Sequence, residues 1–158
     1  MYERELKVAL QAVGEAGRYL VQAYERFQEI PGAPASITTE ADLAVQEIVL
    51  KHLLENFPGD ALCAEESTES VKKAKQEGTR IWIVDPIDGT RGFAQKNGEF
   101  SVMVGFVDNG EIGVGVVLQP AVGRLTYDSR GQGCWRIDGM ETTPQACRGT
   151  PAAKAAEA

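Results

Sequence analysis

Two carboxylates three residues apart, Asp85 and Asp88, lie in the run Trp82-Ile83-Val84-Asp85-Pro86-Ile87-Asp88-Gly89-Thr90. The apolar residues before Asp85 read as a short buried strand that carries the first carboxylate to its C-terminal end. Pro86 has no N–H to give a ladder and fixes its own φ, so the chain is expected to turn there. One tight turn can then aim both carboxylates at a common point. Gly89 admits an unusual backbone angle or close approach by a ligand. Thr90-Arg91-Gly92-Phe93-Ala94 can open a short helix whose free N–H groups face the same point, and helix N-termini favour phosphate. Hard oxygen ligands beside phosphate-binding amides describe a Mg²⁺ site, where the metal takes one or two carboxylates and substrate oxygens. A lone D-x-x-D-G is ordinary turn chemistry. The full Asp-Pro-x-Asp-Gly-Thr arises by chance in such a chain on the order of 10⁻⁴ times.

Charge and composition narrow the field around that turn. Sixteen Lys and Arg against 23 Asp and Glu leave a net charge of −7, the opposite of the basic face a nucleic-acid polymer requires. A phosphate ligand would therefore need a cation between itself and the carboxylates. The single histidine, His52, makes a Ser-His-Asp relay improbable and excludes His-rich metal sites. His52 itself reads as a helix-flank residue. Three scattered cysteines, Cys63, Cys134 and Cys147, give neither a disulfide framework nor C-x-x-C zinc spacing. Cys63 and Cys134 are read as small buried hydrophobes. The opening Met1-Tyr2-Glu3-Arg4-Glu5 has no signal-peptide shape and no run is long enough to span a bilayer, so a cytoplasmic protein without a membrane partner is expected. With 158 residues, 43% of them hydrophobic, one domain over residues 1–150 can bury a sizeable core.

The elements that must position the turn follow from periodicity. Leu6, Leu10, Val13, Gly17, Leu20, Tyr24 and Phe27 recur at helical spacing and predict a helix over residues 2 to about 28. The Pro31–Ser36 stretch breaks it. A second helix is predicted from Thr38 or Thr39 to about Phe57, with Thr39 and Asp42 as a capping box and Val45, Ile48, Val49, His52, Leu53 and Phe57 on its buried face. Asp42 could be no more than a first-turn helix acid. From residue 78 the period changes to two. Strands are predicted at residues 80–84, 100–107, 111–118, 124–127 and 134–137, with Asp108-Asn109-Gly110 as a hairpin turn. Leu62-Cys63-Ala64 reads as a strand delivering Glu65 and Glu66. Lys72, Lys73 and Lys75 read as a solvated surface run, and residues 151–158 as a disordered tail. Helices first and a meander of strands after them argue for an α+β fold, two N-terminal helices packed on an antiparallel sheet.

With these motifs in hand, the chain resembles the inositol monophosphatase-like superfamily of Mg²⁺-dependent, lithium-sensitive phosphatases. The resemblance rests on the apolar strand and Asp85-Pro86-Ile87-Asp88-Gly89-Thr90, on Ala64-Glu65-Glu66-Ser67 upstream, and on Thr39-Glu40-Ala41-Asp42 opening a helix. It implies that Glu65, Asp85 and the carbonyl of Ile87 hold a first Mg²⁺, and that Asp85 and Asp88 hold a second. It further implies that Asp42 with Thr90 orients the attacking water and that amides around Gly89 and Thr90 hold the phosphate. Two cations so placed can stabilise both entering and leaving oxygens.

After the motif, Arg91-Gly92-Phe93 and Asn97-Gly98-Glu99-Phe100-Ser101-Val102 look like the 3′(2′),5′-bisphosphate nucleotidase branch, with inositol-1-phosphate as the alternative substrate. Arg91 could meet a second phosphate of the substrate, or be a surface charge. Two departures stand out. The residues before Thr38 lack the Lys that many relatives carry there, and neither Trp82 nor Trp135 is followed by Asp, so the family's Trp-Asp element is absent. The sequence therefore looks like the N-terminal half alone. A half fold should leave an apolar surface, so a homo-oligomer is expected, with the strands after Phe100 in the contact. A non-catalytic metal- or phosphate-binding, or dimerising, remnant is the competing reading.

Overall fold

The computed structural model describes residues 1–147; the predicted tail, residues 151–158, lies outside them. Two long helices come first, α1 (Glu3–Arg26) and α2 (Glu40–Asn56), followed by β1 (Ala61–Ala64), α3 (Glu69–Lys73), β2 (Arg80–Asp88) and α4 (Thr90–Ala94). Then come β3 (Ser101–Asp108), β4 (Glu111–Gln119), a short 3₁₀ turn, β5 (Arg124–Ser129), β6 (Gly133–Asp138) and β7 (Gln145–Ala146). The strands lie in sequence order across one seven-stranded sheet.

From β2 onward the sheet is antiparallel, but β1 runs parallel to β2, so the sheet is mixed rather than wholly antiparallel. The connection through residues 65–79 is long enough to return the chain to the start of β2, as a parallel pair requires. Because Ala64 pairs with Val84, the residues following both strands emerge at the same sheet end. This pairing brings Glu65 to Asp85.

The helices cover one sheet face. Trp82, Val84, Val102, Val104, Phe106, Val114 and Val116 point into them and are buried. The buried stripe of α1 is Val8, Ala9, Ala12, Val13, Ala16, Gly17 and Leu20. Leu6, Leu10, Tyr24 and Phe27, expected on that stripe, pack only partly against the core. Small residues at its centre let α1 lie close to its neighbours. On α2, Val45, Val49 and Leu53 are buried as periodicity implies, joined by Leu50, Gln46 and Asp42. Ile48 and His52 sit at the margin, where His52 Nε2 meets Glu15 of α1 at 2.6 Å.

Beneath the aromatic cluster of Phe57, Trp82 and Phe106, a polar knot ties β2 to the helices. Asp60 accepts from the Trp82 indole N–H at 3.0 Å and from Arg80 Nε at 2.9 Å, and Arg80 also reaches Glu5. These carboxylates hold the Arg80 guanidinium still further above its usual range.

Two local expectations change. Strand β2 does not turn at Pro86 but continues to Asp88 through a register shift between Asp85 and Asp88. A bulge tolerates a residue without an N–H, which is why Pro86 fits there. Cys63 is exposed, because it shares the face away from the helices with Ile83; Cys134 is half-buried. Asn109 and Gly110 adopt φ of 51° and 80°, the two-residue hairpin predicted between β3 and β4. Lys72 and Lys73 are exposed, on the short helix α3 that the sequence reading passed over.

Candidate active site

Glu65, Asp85, Ile87, Asp88, Gly89, Thr90 and Arg91 line one cavity of about 280 Å³, together with Glu66 and residues 35–38. Its floor is the end of β2, and its two acidic walls come from the β1 and β2 termini. The Glu65 amide donates to the Val84 carbonyl at 3.3 Å, which extends the parallel pairing by one residue. The opposite rim is the segment after α1, held to α4 where the Ile30 amide donates to the Ala94 carbonyl at 2.9 Å.

Asp85 is the chemically strained member. Its Oδ1 is buried and has no hydrogen-bond partner. Burial, then the Glu65 carboxylate within hydrogen-bonding reach, then the charges of Asp88 and Asp42, push its carboxyl from 3.8 to about 7. Glu66 is also raised, by burial and by the charges of Asp42 and Glu65. None of the ion pairs among the described residues involves Glu65, Asp85, Asp88 or Asp42. Acid accumulated without a basic partner could hold a cation, and all-oxygen donors would suit a hard one such as Mg²⁺. Among the described residues, no three His, Cys, Asp or Glu side chains form a ready-gathered ligand cluster. The carboxylates share a cavity without closing on one point, and Glu65 and Asp88 are exposed.

Asp42 fills two roles at once. Its Oδ2 accepts from the Thr39 amide at 2.8 Å and the Thr39 hydroxyl at 2.6 Å, closing the capping box of α2. Its Oδ1 lies 2.8 Å from Thr90 Oγ1, which is also 2.9 Å from the Ile87 carbonyl. The choice between helix acid and site residue thus resolves into both: a fully buried carboxylate (1% exposed) joins the start of α2 to the start of α4.

Gly89 takes φ of +83° as the residue before α4, and a Cβ there would stand 2.5 Å from the Glu99 carbonyl oxygen. Neither the angle nor the space admits a side chain, so the backbone alone forms this part of the wall.

Sequence reading missed Gln46. Fully buried on α2, it donates from Nε2 to the Glu66 carbonyl at 2.7 Å and accepts at Oε1 from the Glu66 amide at 2.9 Å. It therefore fixes the backbone beside Glu65 as a paired strand would. The available signal was a polar residue four positions after Asp42, hence on the same helix face.

The chain as a whole is similar to known proteins. A model of the inositol monophosphatase family matches residues 1–156. A fructose-1,6-bisphosphatase/inositol-1-monophosphatase of Thermotoga maritima is 35% identical over 63% of this chain and 36% of its own length. The 3′(2′),5′-bisphosphate nucleotidase CysQ of Salmonella typhimurium is 30% identical over 83% of this chain and 54% of its own. Among solved structures, the extragenic suppressor protein suhB from Bartonella henselae superposes with a TM-score of 0.75 at 28% identity, covering 92% of this chain and 54% of that one. The chain thus spans about half the length, or less, of the relatives it matches. Since the family match runs through both helices, the Asp85–Asp88 bulge and the whole described sheet, the chain belongs to the inositol monophosphatase family.

Proposed function

We propose that the chain carries the metal- and phosphate-binding part of a Mg²⁺-dependent phosphomonoesterase acting on a small phosphorylated metabolite. The substrate in this reading is adenosine 3′,5′-bisphosphate, which loses its 3′-phosphate; inositol 1-phosphate is the alternative. The supporting observation is the buried, unpartnered Oδ1 of Asp85 beside Glu65, at the end of the Asp42–Thr90 hydrogen bond.

Glu65, Asp85 and the Ile87 carbonyl would hold one Mg²⁺, and Asp85 with Asp88 a second. Bound there, the cations would supply Lewis-acid stabilisation of the phosphoryl oxygens and a more acidic water. The chain's own groups do the rest. The left-handed backbone at Gly89 turns the amides at the start of α4 toward the phosphate. As the water attacks, its proton passes to Thr90 Oγ1 and the Thr90 hydroxyl proton passes on to Asp42 Oδ1. Asp42, held by two bonds from Thr39, keeps that acceptor fixed. Water attacks phosphorus in line and the phosphorus–oxygen bond to the ester oxygen breaks; that oxygen takes a proton from solvent water, so inorganic phosphate and an alcohol result.

Phosphate release from both substrates, with and without Mg²⁺, tests this reading. Mg²⁺-dependent release that disappears in Asp85→Asn supports it. Release that persists without divalent cations, or no release at millimolar Mg²⁺, counts against it. Absent turnover with retained Mg²⁺ binding would favour the non-catalytic remnant. A homo-oligomer belongs to the proposal as well. The sheet face away from the helices carries Ile83, 46% exposed, and Ile112 on β4 is 71% exposed. Light scattering that finds a monomer at micromolar concentration would remove that part. No helix among the described residues is long and apolar enough to cross a membrane.

A further inference from the structure

A second cavity, about 680 Å³, adjoins the carboxylate cavity and shares Asp88 and Gly89 with it. Its far wall is the turn after α4 together with Tyr24 of α1 and Gln119 at the end of β4. Lys96 is the one basic side chain among its lining residues. The Lys96 ammonium donates to the Tyr24 carbonyl and lies over the Tyr24 ring, 4.3 Å from its centroid. It makes no ion pair among the described residues. An ammonium has three donors, so the Tyr24 carbonyl leaves two unspent. Glu99, the other acid on this wall besides Asp88, is exposed and accepts from the Asn97 amide at 3.2 Å.

The backbone singles out the same residue. Lys96 has φ of 57°, the left-handed conformation that follows a helix and usually falls to Gly or Asn. Its amide donates to the Phe93 carbonyl at 3.1 Å, closing α4. A lysine held there against its preference, clamped on a ring and facing a cavity continuous with an acidic site, is poised for an anion.

We propose that Lys96 binds a second phosphate of the substrate, so that this chain selects small bisphosphorylated molecules over monophosphates. The inference rests on the phosphomonoesterase reading of the neighbouring carboxylates. The first phosphate lies at the Asp85–Asp88 bulge, and the linking organic group crosses Gly89 into the larger cavity. Arg91, the residue the sequence suggested for this role, lines the smaller cavity instead and is exposed.

The test compares adenosine 3′,5′-bisphosphate with adenosine 3′-monophosphate, by calorimetry with Ca²⁺ in place of Mg²⁺. One charge-assisted contact predicts that the full chain binds the bisphosphate about tenfold tighter. Lys96→Gln should bring the two affinities within about twofold, chiefly by weakening the bisphosphate's, and Lys96→Arg should restore most of the preference. No preference in the wild type, or a preference that Lys96→Gln leaves intact, overturns the proposal. Phosphate release measured in parallel separates the two readings. A Lys96-dependent preference without release sinks the phosphatase and keeps the anion site, whereas Mg²⁺-dependent release with an undiminished preference in Lys96→Gln does the reverse.

Discussion

Replacing Asp85 with Asn should stabilise the metal-free protein, although the residue is read as essential to function. In the fold its carboxyl is raised from 3.8 to about 7, chiefly by burial and then by Glu65. The folded state therefore holds the proton more tightly than the unfolded chain. Stability from this group is fully present below pH 3.8 and is lost as pH rises through about 7. Three pKa units at about 1.4 kcal/mol each set a ceiling of about 4 kcal/mol. Because solvent screens the partly exposed carboxylate and Glu65 and Asp88 share the repulsion, a gain of about 1–3 kcal/mol at pH 8 is expected. An Asn side-chain N–H can also donate to Glu65 where protonated Asp85 would. For a chain of this size that raises Tm by roughly 3–8 °C. At pH 5.5, about halfway between the two values, the gain should fall by about half. Thermal melts in EDTA at both pH values provide the measurement. An Asp85→Asn variant no more stable than wild type at pH 8, or a difference that does not shrink at pH 5.5, would refute the electrostatic account of the cavity.

Three other substitutions probe the scaffold. Asp60→Ala strips the acceptor from the Trp82 indole and the Arg80 guanidinium together, and should cost about 2–4 kcal/mol by denaturant unfolding. Gln46→Leu keeps the volume buried but orphans the Glu66 amide and leaves the Glu66 carbonyl only its bond from the Thr68 amide, and should cost about 1–3 kcal/mol. Its Mg²⁺ affinity should fall more than that of an equally destabilised core variant such as Val49→Ala, because the Glu65 backbone is released. Gly89→Ala adds a Cβ 2.5 Å from the Glu99 carbonyl at positive φ, and should lower Tm and abolish phosphate release. Wild-type stability in that variant would show that the turn can relax.

How much of this was legible depended on whether neighbours in sequence are also neighbours in space. The Asp85–Thr90 run could be read because its six residues position one another, and the hairpin at Asn109-Gly110 because two residues fix the turn. Capping of α2 by Thr39 and Asp42 is local for the same reason. The bond from Asp42 to Thr90 spans 48 positions and left no local trace. Parallel pairing of β1 and β2 was hidden because the polar stretch between them shows no periodicity. Continuation of β2 past Pro86 escaped notice because a bulge relaxes the usual veto on proline. In α1, periodicity of the large apolar residues marks the stripe, whereas the fully buried positions also include Ala9, Ala12 and Ala16, whose small side chains carry little hydrophobic signal. Lys96 was unmarked because its importance comes from a cavity shared by α1, α4 and the end of β4.

The proposal that Glu65, Asp85 and Asp88 together hold a divalent cation is most directly tested by calorimetric titration of Mg²⁺ into the metal-free chain at pH 8, beside Asp85→Asn. Saturable binding in the wild type, weakened at least about tenfold in the variant, is the predicted result. A wild-type chain that binds no Mg²⁺, or an Asp85→Asn chain that binds it equally well, would contradict the account.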